Sequence, residues 1–160
     1  AKNDKRTLLQ RYKMMEIKVK KLKENAKLPQ RATEGSAGYD LFACMEESVI
    51  IKPHGIAKIP TGIAVAIEDK NMALFIYARS GLASKYGIAP ANCVGVVDSD
   101  YRGEIMVPLI NLGNEYYTVE PGQRIAQMIL APVFLPDLIE TDELPATQRG
   151  EGGFGSTGEK

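Results

Sequence analysis

"VGVVDSDYRGEIMVPLIN", residues 94–111, decides what kind of chain this is. Two apolar arms flank "DSDYRG", a connection into which three charged residues and a tyrosine are packed. The stretch reads as a β-hairpin with chemistry at its turn. Continuing the alternation from Val96 puts Asp98 on the Val96 face of the first arm and Val97 on the opposite one. Asp98 then has two readings. It is a polar turn residue capping its own backbone, or it is a carboxylate kept in a fixed orientation at a strand end.

Working outward, the same pattern fills the chain from residue 16. Short β-rich runs occupy 16–22, 39–44, 48–52, 56–67, 72–78, 94–98, 104–111, 115–119 and 124–134. Between them fall "KPHG", "EDKN", "APAN", "DSDYRG", "LGN" and "EPGQ", the residue types that turns demand. Only "GLASKYG", 81–87, has room for one or two helical turns. Strands at this spacing without intervening helices imply an all-β sandwich, jelly roll or barrel. No internal repeat or second domain is visible. In "EIKVKKL", Ile17 and Val19 alternate with lysines, as in an edge strand guarded against pairing.

The 160 residues suit one domain with a proper core, and 44% apolar with 25% charged residues is an ordinary globular composition. The longest apolar run, "MILAPVFL" at 128–135, is far too short for a membrane span and is broken by Pro132. The opening "AKNDKRTLLQRYKMM" lacks the apolar segment of a secretion signal, so a cytoplasmic location is expected. Cys44 and Cys93 are too far apart for a C-x-x-C pair and are expected as small buried hydrophobes in strands. His54 reads as a loop residue, and no zinc site can be assembled. A divalent metal would be held by oxygen, which points to Mg²⁺ on a phosphate ligand. Lys and Arg crowd the first 27 residues, but no aromatic beyond Tyr12 interleaves with them, so no nucleic-acid partner is expected.

Three further segments carry polar chemistry. In "YARSGLA", Arg79, Ser80 and Gly81 follow a β-run and offer a guanidinium, a hydroxyl and backbone N–H groups, a set that suits a polyphosphate. In "GQRIAQMI", Arg124 and Gln127 interrupt an apolar strand; the glutamine is either a satisfied strand residue or a phosphate donor. The ending "RGEGGFGSTGEK" fits the G-x-G-x-x-G spacing, yet no strand precedes it and no helix can follow it, so it is not a dinucleotide loop. It is either a disordered end or a loose segment supplying a charge, a stacking face and small donors.

Five stretches in fixed order, "AGYDLFA" (37–43), "ARSGLA" (78–83), "GVVDSDYRG" (95–103), "GQRIAQM" (122–128) and "RGEGGFGSTG" (149–158), closely resemble the trimeric dUTPase family, deoxyuridine triphosphate nucleotidohydrolases. The resemblance spans roughly residues 16–158. It implies a jelly-roll-like (β-clip) subunit, a β domain over 15–148 and a flexible glycine-rich lid arm over 149–160. Residues 1–14 have no counterpart and are set apart as an N-terminal extension. It further implies a homotrimer whose active sites each draw on all three chains, and a dUTP diphosphatase that yields dUMP and pyrophosphate, limiting uracil in DNA and supplying dUMP for thymidylate synthesis. By this likeness Asp98 activates the water that attacks the α-phosphorus. Tyr101 packs on the deoxyribose; Asn92 and the main chain near Met106 read the uracil edge. Arg79, Ser80, Gly81 and Gln127 hold the phosphates, and Asp40 touches Mg²⁺ through water only. From the arm, Arg149 reaches the phosphates, Phe154 covers the uracil, and Gly155 and Ser156 add donors.

Two rivals share parts of this pattern. A dCTP deaminase would use the same scaffold but needs a catalytic Glu where Pro108 stands. A non-catalytic nucleotide-binding module would keep the pocket without turnover, and the presence of Asp98 argues against it.

Overall fold

The computed structural model describes residues 16–153. Within them lie eleven short strands and one helix: β1 (Lys18–Lys21), β2 (Tyr39–Phe42), β3 (Val49–Ile51), β4 (Ile56–Pro60), β5 (Ile63–Ala66), β6 (Met72–Tyr77), α1 (Ser80–Tyr86), β7 (Ile88–Pro90), β8 (Gly95–Val97), β9 (Met106–Asn111), β10 (Tyr117–Val119) and β11 (Arg124–Pro132). They form four antiparallel sheets, ordered β1-β5, β3-β10, β2-β11-β6-β8 and β4-β9-β7. The architecture is the all-β, jelly-roll-like one expected, closed around Leu41, Ile59, Leu74, Val107, Leu109 and Ile125, each at most 1% exposed. Asn111, with Thr61, is a polar exception among the buried residues. Its amide donates to the Ile51 and Glu115 carbonyls and its oxygen accepts the Gly113 N–H, so no buried polar atom is orphaned there.

Three expectations are corrected. The run 56–67 is two strands, because Gly62 takes a left-handed φ of 68° that ends the ladder. A Cβ there would meet Cys44 Sγ and Ala26 Cβ, so the bend needs glycine on steric grounds too. Consequently β4 pairs with β9, while β5 turns away to pair with β1. The arms of the 94–111 stretch do not pair with each other: β8 lies on β6, and β9 lies between β4 and β7. Residues 98–105 therefore bridge two sheets instead of closing a hairpin. Finally, Cys44 is buried as expected but lies past the end of β2 and not in a strand, and Cys93 is exposed in a loop with φ 63°.

A strand that turn chemistry concealed is β7, "IAP". Pro90 is tolerated because β7 is an edge strand of its sheet. Pro108 lies in the central strand β9, and its carbonyl accepts the Ala91 N–H at 2.7 Å. The donor that a non-proline residue would return is missing, and the β7–β9 ladder stops at the Pro90 pair.

Candidate active site

The candidate residues are distributed over two hollows. Asp98, Tyr101, Asn92 and Met106 line one, at the junction of β8 with the loop that follows it. Asp98 lies on the exposed side with Val96, while Val97 faces the core, as the alternation required. Its carboxylate makes no hydrogen bond among the described residues. The turn is held instead by Arg102, whose Nη1 donates to the Ser99 and Tyr101 carbonyls at 2.7 and 2.9 Å. The Tyr101 hydroxyl donates to the Glu104 carbonyl at 3.0 Å, and a Cβ on Gly103 would fall on the tyrosine ring. Lys58 and Glu104 line the same hollow and were not singled out from the sequence. Lys58 arrives from β4, opposite Pro108, through a long-range pairing that local pattern does not reveal.

Asp40, Arg79, Ser80, Gly81 and Gln127 line the second hollow. Register explains the grouping: Asp40 opposes Gln127 across β2–β11, and Gln127 opposes Tyr77 across β11–β6, so the row runs to the exit of β6, where Arg79 follows. Arg79 Nε donates to one Asp40 oxygen at 2.8 Å and Arg124 Nη1 to the other at 3.2 Å. The Asp40 side chain is only 13% exposed, so these two charge-assisted bonds fix both guanidinium groups at the rim. Gln127 Nε2 donates to the Ala78 carbonyl at 2.9 Å, which satisfies the strand glutamine while leaving its second N–H available. Ser80 and Gly81 are exposed at the start of α1, and a Cβ on Gly81 would meet nothing within 4 Å.

The hollows sit at opposite ends of one strand. Val97 opposes Leu74 on β6, so Asp98 falls beside Ala73, six residues before Arg79. At the rise of an extended chain that is on the order of 20 Å. The outward side chains between them include Val96, 59% exposed, together with Phe75 and Ile129, an apolar strip. Arg149 lines neither hollow; its Nε donates to the Gly152 carbonyl at 2.7 Å in a local turn. Phe154, Gly155 and Ser156 lie outside the described residues.

The dUTPase family model matches residues 24–158, most of the chain. The chain belongs to the dUTPase family. Among similar proteins, the deoxyuridine 5'-triphosphate nucleotidohydrolase of Desulfitobacterium hafniense is 55% identical over 132 residues, covering 82% of this dUTPase and 87% of the relative. That of Acinetobacter baylyi is 46% identical over 150 residues, covering 91% and 100%. A Staphylococcus bacteriophage 80alpha dUTPase solved with dUpNHpp superposes with a TM-score of 0.80 at 29% identity, covering 89% of this dUTPase and 98% of the phage chain. Among the described residues no helix is long and apolar enough to cross a membrane.

Proposed function

We propose that this dUTPase, acting in the cytoplasm, hydrolyses dUTP to dUMP and pyrophosphate in sites shared between the subunits of a homotrimer. The observation that carries the reading is the separation of Asp98 from Arg79 along β6, on the order of 20 Å by strand rise. A base that activates water must stand within about 3 Å of it, or one water further. With the backbone positions so far apart and Arg79 turned onto Asp40, a second chain meets this requirement more readily than the same chain does. The apolar strip of Val96, Phe75 and Ile129 between the hollows supports a neighbouring subunit there. So do Phe134, Leu138 and Ile139, which leave β11 at 94%, 95% and 87% exposure.

In this mechanism Asp98 takes a proton from water as the water oxygen bonds the α-phosphorus. The bond from that phosphorus to the bridging oxygen breaks, and pyrophosphate leaves. The uncommitted carboxylate of Asp98 suits the role. Glu104, the other acid of the hollow, already accepts the Gly62 N–H at 2.7 Å. Arg79, Ser80, Gly81 and Gln127 of the second subunit hold the phosphates, and the open space around Gly81 lets them approach the backbone closely. Asn92 and the main chain near Met106 read uracil, and Tyr101 closes on the deoxyribose. The arm of a neighbouring chain brings Arg149, Phe154, Gly155 and Ser156 over the nucleotide, so residues 149–160 act as a lid on the 15–148 domain, with 1–14 outside both.

A metal fits this donor set only as a passenger on the triphosphate. No group of three or more His, Cys, Asp or Glu side chains among the described residues could cage an ion. Each oxygen of Asp40 already accepts from a guanidinium group, which suits contact with the ion through water. Mg²⁺ would supply charge neutralisation on the phosphates. By removing dUTP and making dUMP, the reaction would limit uracil in DNA and feed thymidylate synthesis.

The test is product analysis with dUTP, dTTP, dCTP and UTP in the presence of Mg²⁺. Pyrophosphate from dUTP, and much less from the others, is expected. Ammonia from dCTP would instead establish the deaminase, and binding without turnover the silent module.

A further inference from the structure

The far side of the loop that carries Asp98 and Tyr101 is sewn to a turn some forty residues earlier in the chain. Glu104 Oε1 accepts the Gly62 N–H at 2.7 Å. Next to it the Thr61 hydroxyl and N–H both donate to the Ile105 carbonyl, at 2.6 and 3.3 Å, and the Ile105 N–H donates to Ile63 at 2.9 Å. Gly62 is buried, and its left-handed φ of 68° turns its amide away from both ladders. Among the described residues its one acceptor is the Glu104 side chain. A buried amide that loses its acceptor is costly, so this bond holds Glu104 firmly in place. Glu104 in turn offers its backbone carbonyl to the Tyr101 hydroxyl at 3.0 Å, while the absent side chain of Gly103 gives the ring its seat.

We propose that Glu104 is a positioning residue for sugar selection: anchored on the Gly62 amide, it fixes the carbonyl that holds the Tyr101 hydroxyl and so sets how closely the phenol ring stands to C2′ of the nucleotide. The inference rests on the reading that Tyr101 faces the deoxyribose. Excluding a ribose means denying space to one hydroxyl, and a ring free to retreat by about an ångström would surrender that exclusion. The base readers have holds of their own: the main chain at Met106 is paired with Pro60 in the β4–β9 ladder, and Asn92 lies in the loop before β8, with no bond to Glu104 among the described residues. Sugar and base selection are therefore separable.

The experiment compares kcat/KM for dUTP, UTP and dCTP in the full chain with Glu104→Ala, Glu104→Gln and Tyr101→Ala. Gln keeps an acceptor for Gly62, so Glu104→Gln should preserve the dUTP-over-UTP ratio within about threefold, the scatter of context-dependent single contacts. Glu104→Ala should lower that ratio about tenfold, the effect of roughly one hydrogen bond of positioning. Its dUTP-over-dCTP ratio should stay put, whereas a merely structural defect would erode both. An unchanged sugar ratio in Glu104→Ala, or parallel loss of both ratios, overturns the proposal; so does loss in Glu104→Gln. Tyr101→Ala separates the layers. If it leaves the sugar ratio intact, the placement of Tyr101 on the sugar is wrong and the inference goes with it. If it abolishes selection while Glu104→Ala does not, only the role of Glu104 falls. Should Glu104→Ala fail to fold, Tyr101→Phe decides: it deletes the bond to the Glu104 carbonyl and is expected to weaken sugar selection, and an unchanged ratio overturns the proposal.

Discussion

Two inactive variants of this enzyme should make an active one when their subunits mix. Asp98→Asn removes the proposed base and Arg79→Ala a proposed phosphate clamp, and on one chain these groups stand at opposite ends of β6. If every site takes Asp98 from one subunit and Arg79 from another, an intact pair needs two independent draws. In an equal mixture, half the chains keep Asp98 and half keep Arg79, so about one quarter of the sites in randomly assembled trimers hold both. Co-expression, or joint refolding of the two variants, followed by a pyrophosphate-release assay, should recover about a quarter of wild-type activity per site. Each variant alone should show only its residual rate, lower by a factor on the order of 10² or more. A mixture no more active than the mean of its parts would refute the division of the site between chains, provided size-exclusion and mass measurements show that hybrids formed.

Asp98→Asn by itself should bind dUTP with near-native affinity while kcat falls by about 10² to 10⁴, read by titration and single-turnover kinetics. Removing the residues after Gln148 should leave a folded oligomer with poor catalysis, and native kinetics would deny the arm any part in the site. Gly62→Ala forces a left-handed residue against Cys44 and Ala26 and should cost about 2–4 kcal/mol in denaturant unfolding at fixed protein concentration. The exposed Lys18–Glu68 pair, in which each partner's hydrogen bond raises the lysine pKa and lowers that of the carboxylate, has the opposite standing. Its contribution is lost as pH falls through the lowered Glu68 pKa, and Lys18→Gln should leave the thermal midpoint nearly unmoved even at neutral pH.

Local rules were readable because they are local. Alternation put Asp98 beside Val96 on the open side of β8, and the spacing of Gly, Pro and Asn marked most strand ends. What could not be read was partnership. The apolar stretch "IAKIPTGIAVAI" gives no sign that Pro60 and Ile63 belong to different sheets until Gly62 is seen in its left-handed turn. The two arms of 94–111 satisfy every hairpin criterion and still pair elsewhere, since alternation specifies a face and not a neighbour. Pro90 reads as a breaker, yet an edge position removes the objection. In the site, Arg79 and Asp40 stand in separate segments of the sequence, and their ion pair depends on a three-strand register. Glu104 meets Gly62 across 42 positions, a bond that no motif announces.

The length of β6 has a consequence for how the activity is deployed. If the base and the anion clamp stand at its two ends, as proposed, a newly made, solitary chain would be inert toward nucleotide, and catalysis would switch on only when copies meet. Turnover should then rise more steeply than linearly with expression level at low abundance and collapse on extreme dilution, making the amount of chain itself a threshold control.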